Sequence, residues 1–138
     1  MLTSIDTPLV KDAFAKSDVE KIEIIKGHFE KIMETLGLDL KDDSLAGSPE
    51  RVAKMYVSEI FSGLNPLNEP KVSLFENSYK YSGMLVEKNI ELYSLCEHHF
   101  VPIVGKVHVA YFANDNVIGL SKINRIVQHF AKRPQVQE

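Results

Sequence analysis

Apolar residues recur at three- and four-residue spacing through the first half of the chain, a pattern that predicts two amphipathic helices. The first covers residues 19–36 and ends at Gly37, a residue typical of helix C-termini. The second begins at Ser48-Pro49-Glu50, which combines a capping hydroxyl, a proline at the first helical position and an acidic residue near the positive helix end. Gly63 is expected to end it.

After Pro70 the period changes to two, which predicts β-strands. The clearest signal is residues 103–113, where alternate side chains point to opposite faces. Residues 117–120 are expected to return antiparallel to that strand after a turn at 114–116. Shorter extended runs precede it, at Val72 and Leu74, at Tyr79 and Tyr81, and at Ile90, Leu92, Ser94 and Cys96.

A third amphipathic helix is predicted over residues 121–130, and Ser121 is expected to cap it. A hydroxyl, free backbone N–H groups and the positive end of the helix dipole would then meet at Lys122 and stabilise an anion. A helical wheel aligns the basic residues Lys122, Arg125, His129 and Lys132 on one side. The alternative is an ordinary solvated basic stripe. Arg133-Pro134 ends this helix, and residues 134–138 have the pattern of the first turn of another.

Length and composition limit the classes of protein to consider. The chain has 138 residues, 44% hydrophobic and 25% charged, which is ordinary for one globular domain. We divide it into a helical region, 1–70, and a region of strands and helix, 71–138. The net charge of −3 gives no general attraction to nucleic acid or anionic membrane, so any phosphate site must be local. One cysteine, no signal-peptide pattern and no long apolar run predict a cytoplasmic protein.

The densest reactive chemistry lies in Cys96-Glu97-His98-His99-Phe100. A thiolate and an imidazole three residues apart can bind one metal ion if the backbone bends between Cys96 and His99, and His98 is then left free. Pro102 is compatible with a strand that ends nearby. The alternative is a small buried thiol beside histidines hydrogen-bonded at a strand end. Zinc sites need three or four ligands, and this segment offers two.

Three other residues, Arg51, His28 and His108, have charged or titratable side chains outside these clusters. Arg51 lies in the first turn of the second helix, where most arginines are simply solvated. His28 has no polar cluster near it, and His108 falls among alternating strand residues, so we assign neither a function.

Four long blocks of the sequence can be compared with known families. They are Ser48-Pro49-Glu50-Arg51-Val52-Ala53-Lys54-Met55-Tyr56; Cys96-Glu97-His98-His99-Phe100; the stretch from Val117-Ile118-Gly119-Leu120-Ser121-Lys122 to Gln128; and Arg133-Pro134-Gln135-Val136-Gln137-Glu138. These blocks closely resemble GTP cyclohydrolase I, run in the order of that family and cover residues 48 to 138 in register.

The resemblance implies hydrolysis of GTP to formate and 7,8-dihydroneopterin triphosphate, the first step toward folate or tetrahydrobiopterin. It implies the tunnelling fold, an α+β architecture with N-terminal helices followed by an antiparallel sheet backed by helices. It also implies a homo-oligomeric ring, a decamer by analogy, with active sites at subunit interfaces. Neither nucleic acid nor membrane is an expected partner.

The resemblance also implies roles for individual residues. Cys96 and His99 match zinc ligands, and His98 matches the acid–base histidine. Arg51, Lys122 and Arg125 match triphosphate-binding residues, with Ser121 beside the ribose-phosphate end. Glu138, with the backbone of Gln137, matches the group that reads guanine.

The family supplies a third zinc ligand, a cysteine in a later His-x-Cys segment that these 138 residues do not contain. We therefore expect the C-terminal part of the fold to be missing from them. The alternative function is a truncated, non-catalytic GTP-binding or oligomer-forming module. A zinc deaminase is a weaker alternative, because its His-x-Glu and Pro-Cys-x-x-Cys motifs do not occur.

Overall fold

A computed structural model describes residues 7–136, which form two compact units. One unit extends to Ser62 and the other starts at Gly63. The Gly63 N–H donates to the Lys132 carbonyl at 2.9 Å, which ties the start of the second unit to its C-terminal part. The predicted regions, 1–70 and 71–138, stay a prediction.

The first helix, α1, spans Asp18–Thr35, which confirms the predicted helix to within a residue at each end. Its start is fixed by a capping box that the sequence reading missed. The Ser17 hydroxyl accepts the Glu20 N–H, and the Glu20 carboxylate accepts the Ser17 N–H. These bonds hold the pKa of Glu20 below its usual value. Gly37 follows the helix with φ +81°, as a helix-ending glycine should.

The second helix, α2, spans Ser48–Met55 and continues as one π-helical turn over Tyr56–Ile60. The prediction that Ser48 caps it is wrong by one position. The cap is Gly47, without a side-chain hydrogen bond, so Ser48 and Pro49 occupy the first helical turn. Pro49 and Ala53 are buried, and α2 packs against α1.

The second unit is built on a long antiparallel hairpin. After two 3₁₀ turns, Ser62–Leu64 and Pro66–Asn68, strand β1 covers Leu74–Glu76. Strand β2, Met84–Cys96, then pairs with β3, Pro102–Phe112. Exposure along β3 alternates residue by residue, which confirms the period-two prediction.

The short strand β4, Asn116–Ile118, does not pair with β3, so that predicted hairpin is wrong. It pairs antiparallel with β1, with Phe75 opposite Val117. The Asn77 side chain donates to the Asn114 carbonyl at 2.9 Å, and the Asn77 N–H donates to the Asp115 carbonyl, which draws the turn toward β1. The predicted extended run at Tyr79 and Tyr81 is loop.

Helix α3, Leu120–Ala131, packs on β2, and the core between them contains Ile90, Leu95, Ile123 and Ala131. Residues 134–136 do not begin another helix. Pro134–Gln135 form strand β5, parallel to β2, with Gln135 opposite Cys96. Apart from this short parallel pairing the strands of the unit pair antiparallel, and a helix backs β2, which is the expected α+β class and compatible with the tunnelling fold. Within residues 7–136, no helix is long and apolar enough to cross a membrane.

Candidate active site

The segment Cys96–Phe100 forms the bend that a metal site requires. β2 ends at Cys96, and the Phe100 N–H donates back to the Cys96 carbonyl at 2.9 Å. Phe100 closes the turn with φ +52°, a left-handed conformation that is uncommon for a residue other than glycine. The Cys96 N–H donates to the Val101 carbonyl at 2.9 Å, so the turn is also tied to the start of β3. We call residues 96–100 the CEHHF turn.

The reactive side chains of the CEHHF turn lie close together and reach solvent. Cys96 is half-buried, and its Sγ lies 3.8 Å from His98 Nδ1. The rings of His98 and His99 are 6.3 Å apart at an edge-on angle. His98 Nε2 lies 3.6 Å from the Glu97 carboxylate. The turn therefore places a half-buried thiol and two exposed imidazoles within a few residues of one another, and the roles assigned to them stay predictions.

A second connection holds the CEHHF turn from the opposite side. The Glu97 N–H donates to the Gln135 carbonyl at 2.8 Å, next to the pairing of Cys96 with Gln135. Sequence reasoning missed this contact because it joins residues far apart in the chain, and it carries no local signal. Gln137 and Glu138, the predicted guanine-reading residues, lie outside the described residues.

The start of α3 carries the predicted phosphate-binding residues, but Ser121 does not cap it. The cap is Gly119, so Ser121 is the second helical residue, exposed, and its hydroxyl does not bond the helix end. A side chain at position 119 would press on the Phe75 ring, 3.2 Å from where a Cβ would lie, which favours glycine as the cap. Within residues 7–136, neither Lys122 nor Arg125 has an ion-pair partner. The helix dipole and these two cations therefore remain available to an anion.

At the C-terminal end of α3, basic and polar side chains form hydrogen bonds within the protein. His129 is buried, with 6% of its surface exposed, so it does not belong to the predicted basic stripe. Arg133 donates to His129 Nε2 at 2.9 Å and to the Gly63 carbonyl at 2.8 Å. A guanidinium has no acceptor, so His129 Nε2 must be unprotonated. Burial, and then the charge of Arg133, lower the pKa of His129.

The CEHHF turn and the start of α3 lie at opposite ends of that helix. Gln128 donates to the Glu91 carbonyl, and the Ser94 hydroxyl donates to the Arg133 carbonyl, so α3 runs in the direction of β2. Its C-terminal end therefore lies beside the turn. At about 1.5 Å per residue, a helix of 12 residues puts its start roughly 18 Å away.

Arg51, the remaining predicted phosphate ligand, belongs to the first unit. Its guanidinium donates to the Ser48 hydroxyl at 3.0 Å and to the Ser44 carbonyl at 3.3 Å. It thus lies over the first turn of α2, where the Ser48 hydroxyl serves it as an acceptor. Arg51 is exposed, and these two neutral acceptors leave its charge uncompensated.

An open cleft of ≈ 490 Å³ lies elsewhere in the second unit, beside the pairing of β1 with β4. The residues that line it are Glu76, Asn77, Lys80, Tyr81, Ser82, Ala113, Asn114 and Asp115. None of the predicted site residues lines this cleft.

The donor types of the CEHHF turn suit zinc, but the described residues alone do not complete a site. Zn²⁺ binds thiolate sulfur and imidazole nitrogen, and catalytic sites use three protein ligands with one open position. Within residues 7–136 no group of three or more His, Cys, Asp or Glu side chains is arranged to hold a metal ion. The assignment of Cys96 and His99 as zinc ligands therefore stays a prediction, and the contact of Cys96 Sγ within the turn is with His98 Nδ1, at 3.8 Å.

Comparison of the sequence with models of protein families assigns the chain to an enzyme family. A family model described as GTP cyclohydrolase I matches residues 25–138. The chain belongs to the GTP cyclohydrolase I family, and the resemblance noted in the sequence is confirmed.

Individual relatives agree with that class. The chain is 63% identical over 131 residues to GTP cyclohydrolase 1 of Flavobacterium johnsoniae, covering 95% of this chain and 59% of the relative. It is 59% identical over 134 residues to GTP cyclohydrolase 1 of Aeromonas hydrophila, covering 97% and 61%. GTP cyclohydrolase 1 of Erwinia tasmaniensis is 53% identical over 134 residues, with the same coverage of both chains. The chain thus spans about 60% of the length of these relatives.

Proposed function

We propose that the full protein hydrolyses the guanine imidazole ring of GTP, releasing formate and leaving 7,8-dihydroneopterin triphosphate. The observation that carries the proposal is the CEHHF turn, which gathers a thiol and two imidazoles at the end of β2 in a chain of this family. The product would enter folate or tetrahydrobiopterin synthesis, and we place the enzyme in the cytoplasm.

Zinc is the metal we assign to the turn, held by Cys96 and His99 with a further ligand from outside residues 7–136. Bound zinc would lower the pKa of a coordinated water to about 7, which makes hydroxide available at neutral pH for attack on guanine C8. His98 is exposed beside Cys96, and an imidazole can donate a proton to the guanine ring nitrogen as the ring opens.

Substrate binding is assigned to cations and to a carboxylate. Lys122 and Arg125 at the start of α3, and Arg51 on α2, would offset the triphosphate charge, with Ser121 at the ribose-phosphate end. The Glu138 carboxylate, with the Gln137 backbone, would accept hydrogen bonds from N1–H and the exocyclic amine of guanine. Adenine lacks that donor arrangement.

We further propose that the site is completed between copies of the chain in a ring-shaped homo-oligomer, a decamer by family analogy. The separation of roughly 18 Å between the start of α3 and the CEHHF turn supports this, because one chain holds the two groups at opposite ends of a helix. The turn of one copy would then act with the α3 start of another.

Turnover of GTP by the full gene product with zinc tests the chemistry, measured as neopterin fluorescence after oxidation. His98→Ala is expected to lower kcat about 10²- to 10⁴-fold, the usual contribution of a positioned acid or base. His108→Ala, an exposed histidine on β3, is the matched control and should retain activity. Normal turnover by His98→Ala would remove its proposed role.

Mixing two inactive variants tests the shared site. His98→Ala and the double variant Lys122→Met with Arg125→Met should each be inactive alone. Unfolding and reassembling a 1:1 mixture should restore about a quarter of the activity, because half of the turns and half of the α3 starts are intact and they pair independently. No recovery in reassembled oligomers would mean that each site is built within one chain.

A second candidate function is a non-catalytic GTP-binding or oligomer-forming module. It is favoured by the lack of a three-residue metal group within residues 7–136. This module would bind GTP without stoichiometric zinc. Metal analysis that finds one tightly held zinc per chain would count against it.

A further inference from the structure

Strand β5 connects the CEHHF turn to the C-terminal end of α3. Pro134 and Gln135 pair with Leu95 and Cys96, and the Gln135 carbonyl accepts the Glu97 N–H at 2.8 Å. Its position therefore bears on the proposed metal-binding turn.

A strand of two residues has too few backbone bonds to hold its own place, so its anchors matter. The Gln135 side-chain amide donates to the Phe130 carbonyl at 2.7 Å. That carbonyl is in the last turn of α3, where backbone acceptors lack partners within the helix. A second anchor is the Ser94 hydroxyl, which donates to the Arg133 carbonyl at 3.2 Å.

We propose that Gln135 is a positioning residue: its side chain fixes β5 to the end of α3, and its backbone carbonyl in turn fixes the CEHHF turn. Gln135 contacts neither metal nor substrate in this scheme. Its effect on catalysis rests on the proposed function, because it acts through Cys96, His98 and His99.

Gln128 offers a matched control. Its side-chain amide also crosses from α3 to a β2 backbone carbonyl, that of Glu91, at 2.6 Å. Gln128→Met and Gln135→Met therefore each remove one amide-to-carbonyl bond at constant side-chain length. Only Gln135 is bonded through its own backbone to the turn.

Hydrogen exchange of the full protein tests the anchor directly, without depending on activity. Deuterium uptake in a peptide covering residues 96–101 should become on the order of fivefold faster in Gln135→Met, which is the size of change expected when one stabilising hydrogen bond is removed. Gln128→Met should leave uptake in this peptide unchanged. Unchanged uptake in Gln135→Met, or an equal increase in Gln128→Met, would overturn the proposal.

Zinc affinity and kcat then distinguish a positioning role of Gln135 from a general effect on the stability of the protein. Gln135→Met should weaken zinc binding and lower kcat for GTP, whereas Gln128→Met should at most lower the melting temperature. Gln135→Lys keeps a hydrogen-bond donor and adds a favourable cation at the helix C-terminus. It should therefore retain most of the zinc affinity and kcat that Gln135→Met loses.

The two proposals fail in different ways. If neither the unaltered protein nor any variant releases formate, the proposed function fails. The hydrogen-exchange and zinc-affinity measurements then still decide the role of Gln135. If the unaltered protein turns over GTP and Gln135→Met matches it in exchange, zinc affinity and kcat, the inference about Gln135 fails and the function stands.

Discussion

The two ends of helix α3 carry similar residues and use them in opposite ways. At the start, Lys122 and Arg125 have no ion-pair partners within residues 7–136, and the helix is capped by a glycine without a side-chain bond. At the other end, Arg133 bonds to His129 and Gly63 and lies over the Phe130 ring at 4.5 Å. The comparison shows that basic residue type alone does not identify a ligand site.

Burial explains the difference. His129 is almost fully covered, so an unpartnered polar group there would cost free energy, and the fold supplies Arg133 as a donor. Lys122 and Arg125 remain partly or fully exposed, so they keep their hydration until an anion displaces it. A cation that the fold already uses is structural, and one that the fold leaves unpaired is available for binding.

The largest expected effect comes from filling the space at Gly63. A Cβ there would collide with the His129 carbonyl and lie 2.8 Å from the Lys132 carbonyl, both backbone atoms that cannot move aside. Gly63→Ala should therefore reduce the free energy of unfolding by about 3 kcal/mol. Gly105→Ala is the control, because nothing lies within 4 Å of its added carbon. Denaturant unfolding measures both, and equal stabilities would show that the C-terminal end of α3 is not tightly packed.

A smaller effect, on the KM for GTP, is expected from substitutions at the N-terminal end of α3. Lys122→Met should raise KM for GTP by roughly ten- to a hundredfold, since a hydrogen bond to a charged group contributes about 1.5–3 kcal/mol. Its melting temperature should stay unchanged. Lys132→Met, at the exposed C-terminal end of α3, should leave KM unaltered. A KM increase of the same size in both variants would mean that general electrostatic attraction, not the helix start, governs binding.

The smallest expected effect is a pH dependence of stability from His129. Its pKa is lowered from 6.5 chiefly by burial and then by Arg133, with Glu69 acting in the opposite direction. The unfolded chain therefore takes up this proton first, so stability should fall as pH drops below about 6.5 and level off below the lowered pKa. His129→Gln keeps an acceptor but does not titrate. Its unfolding midpoint should depend less on pH between about 5 and 7.5, and parallel curves for the two proteins would contradict the assignment.

Local sequence features predicted the elements well where each was decided by its own residues. The periodicity of α1, the alternation along β3 and the extent of α3 were confirmed. The metal-site hypothesis requires the backbone to bend between Cys96 and His99, and the hydrogen-bonded CEHHF turn contains such a bend. These features depend on patterns within a few residues, which a single sequence contains.

Features decided by distant contacts could not be predicted in this way. The pairing of β4 with β1 depends on Asn77, and the strand conformation of Pro134 and Gln135 depends on the end of β2. His129 could not be separated from the basic stripe, because the sequence does not reveal that it is buried and accepts a hydrogen bond from Arg133. The roles of Cys96, His99 and His98 rest on the family resemblance and remain proposals.

The most direct test of the central claim is formate release from GTP labelled at guanine C8. The full gene product should release one labelled formate for each dihydroneopterin triphosphate, lose this activity on chelation, and regain it when zinc is added. His98→Ala should bind GTP without releasing label. Binding of GTP by the unaltered, zinc-loaded protein without any labelled formate would contradict the account and leave the non-catalytic module as its function.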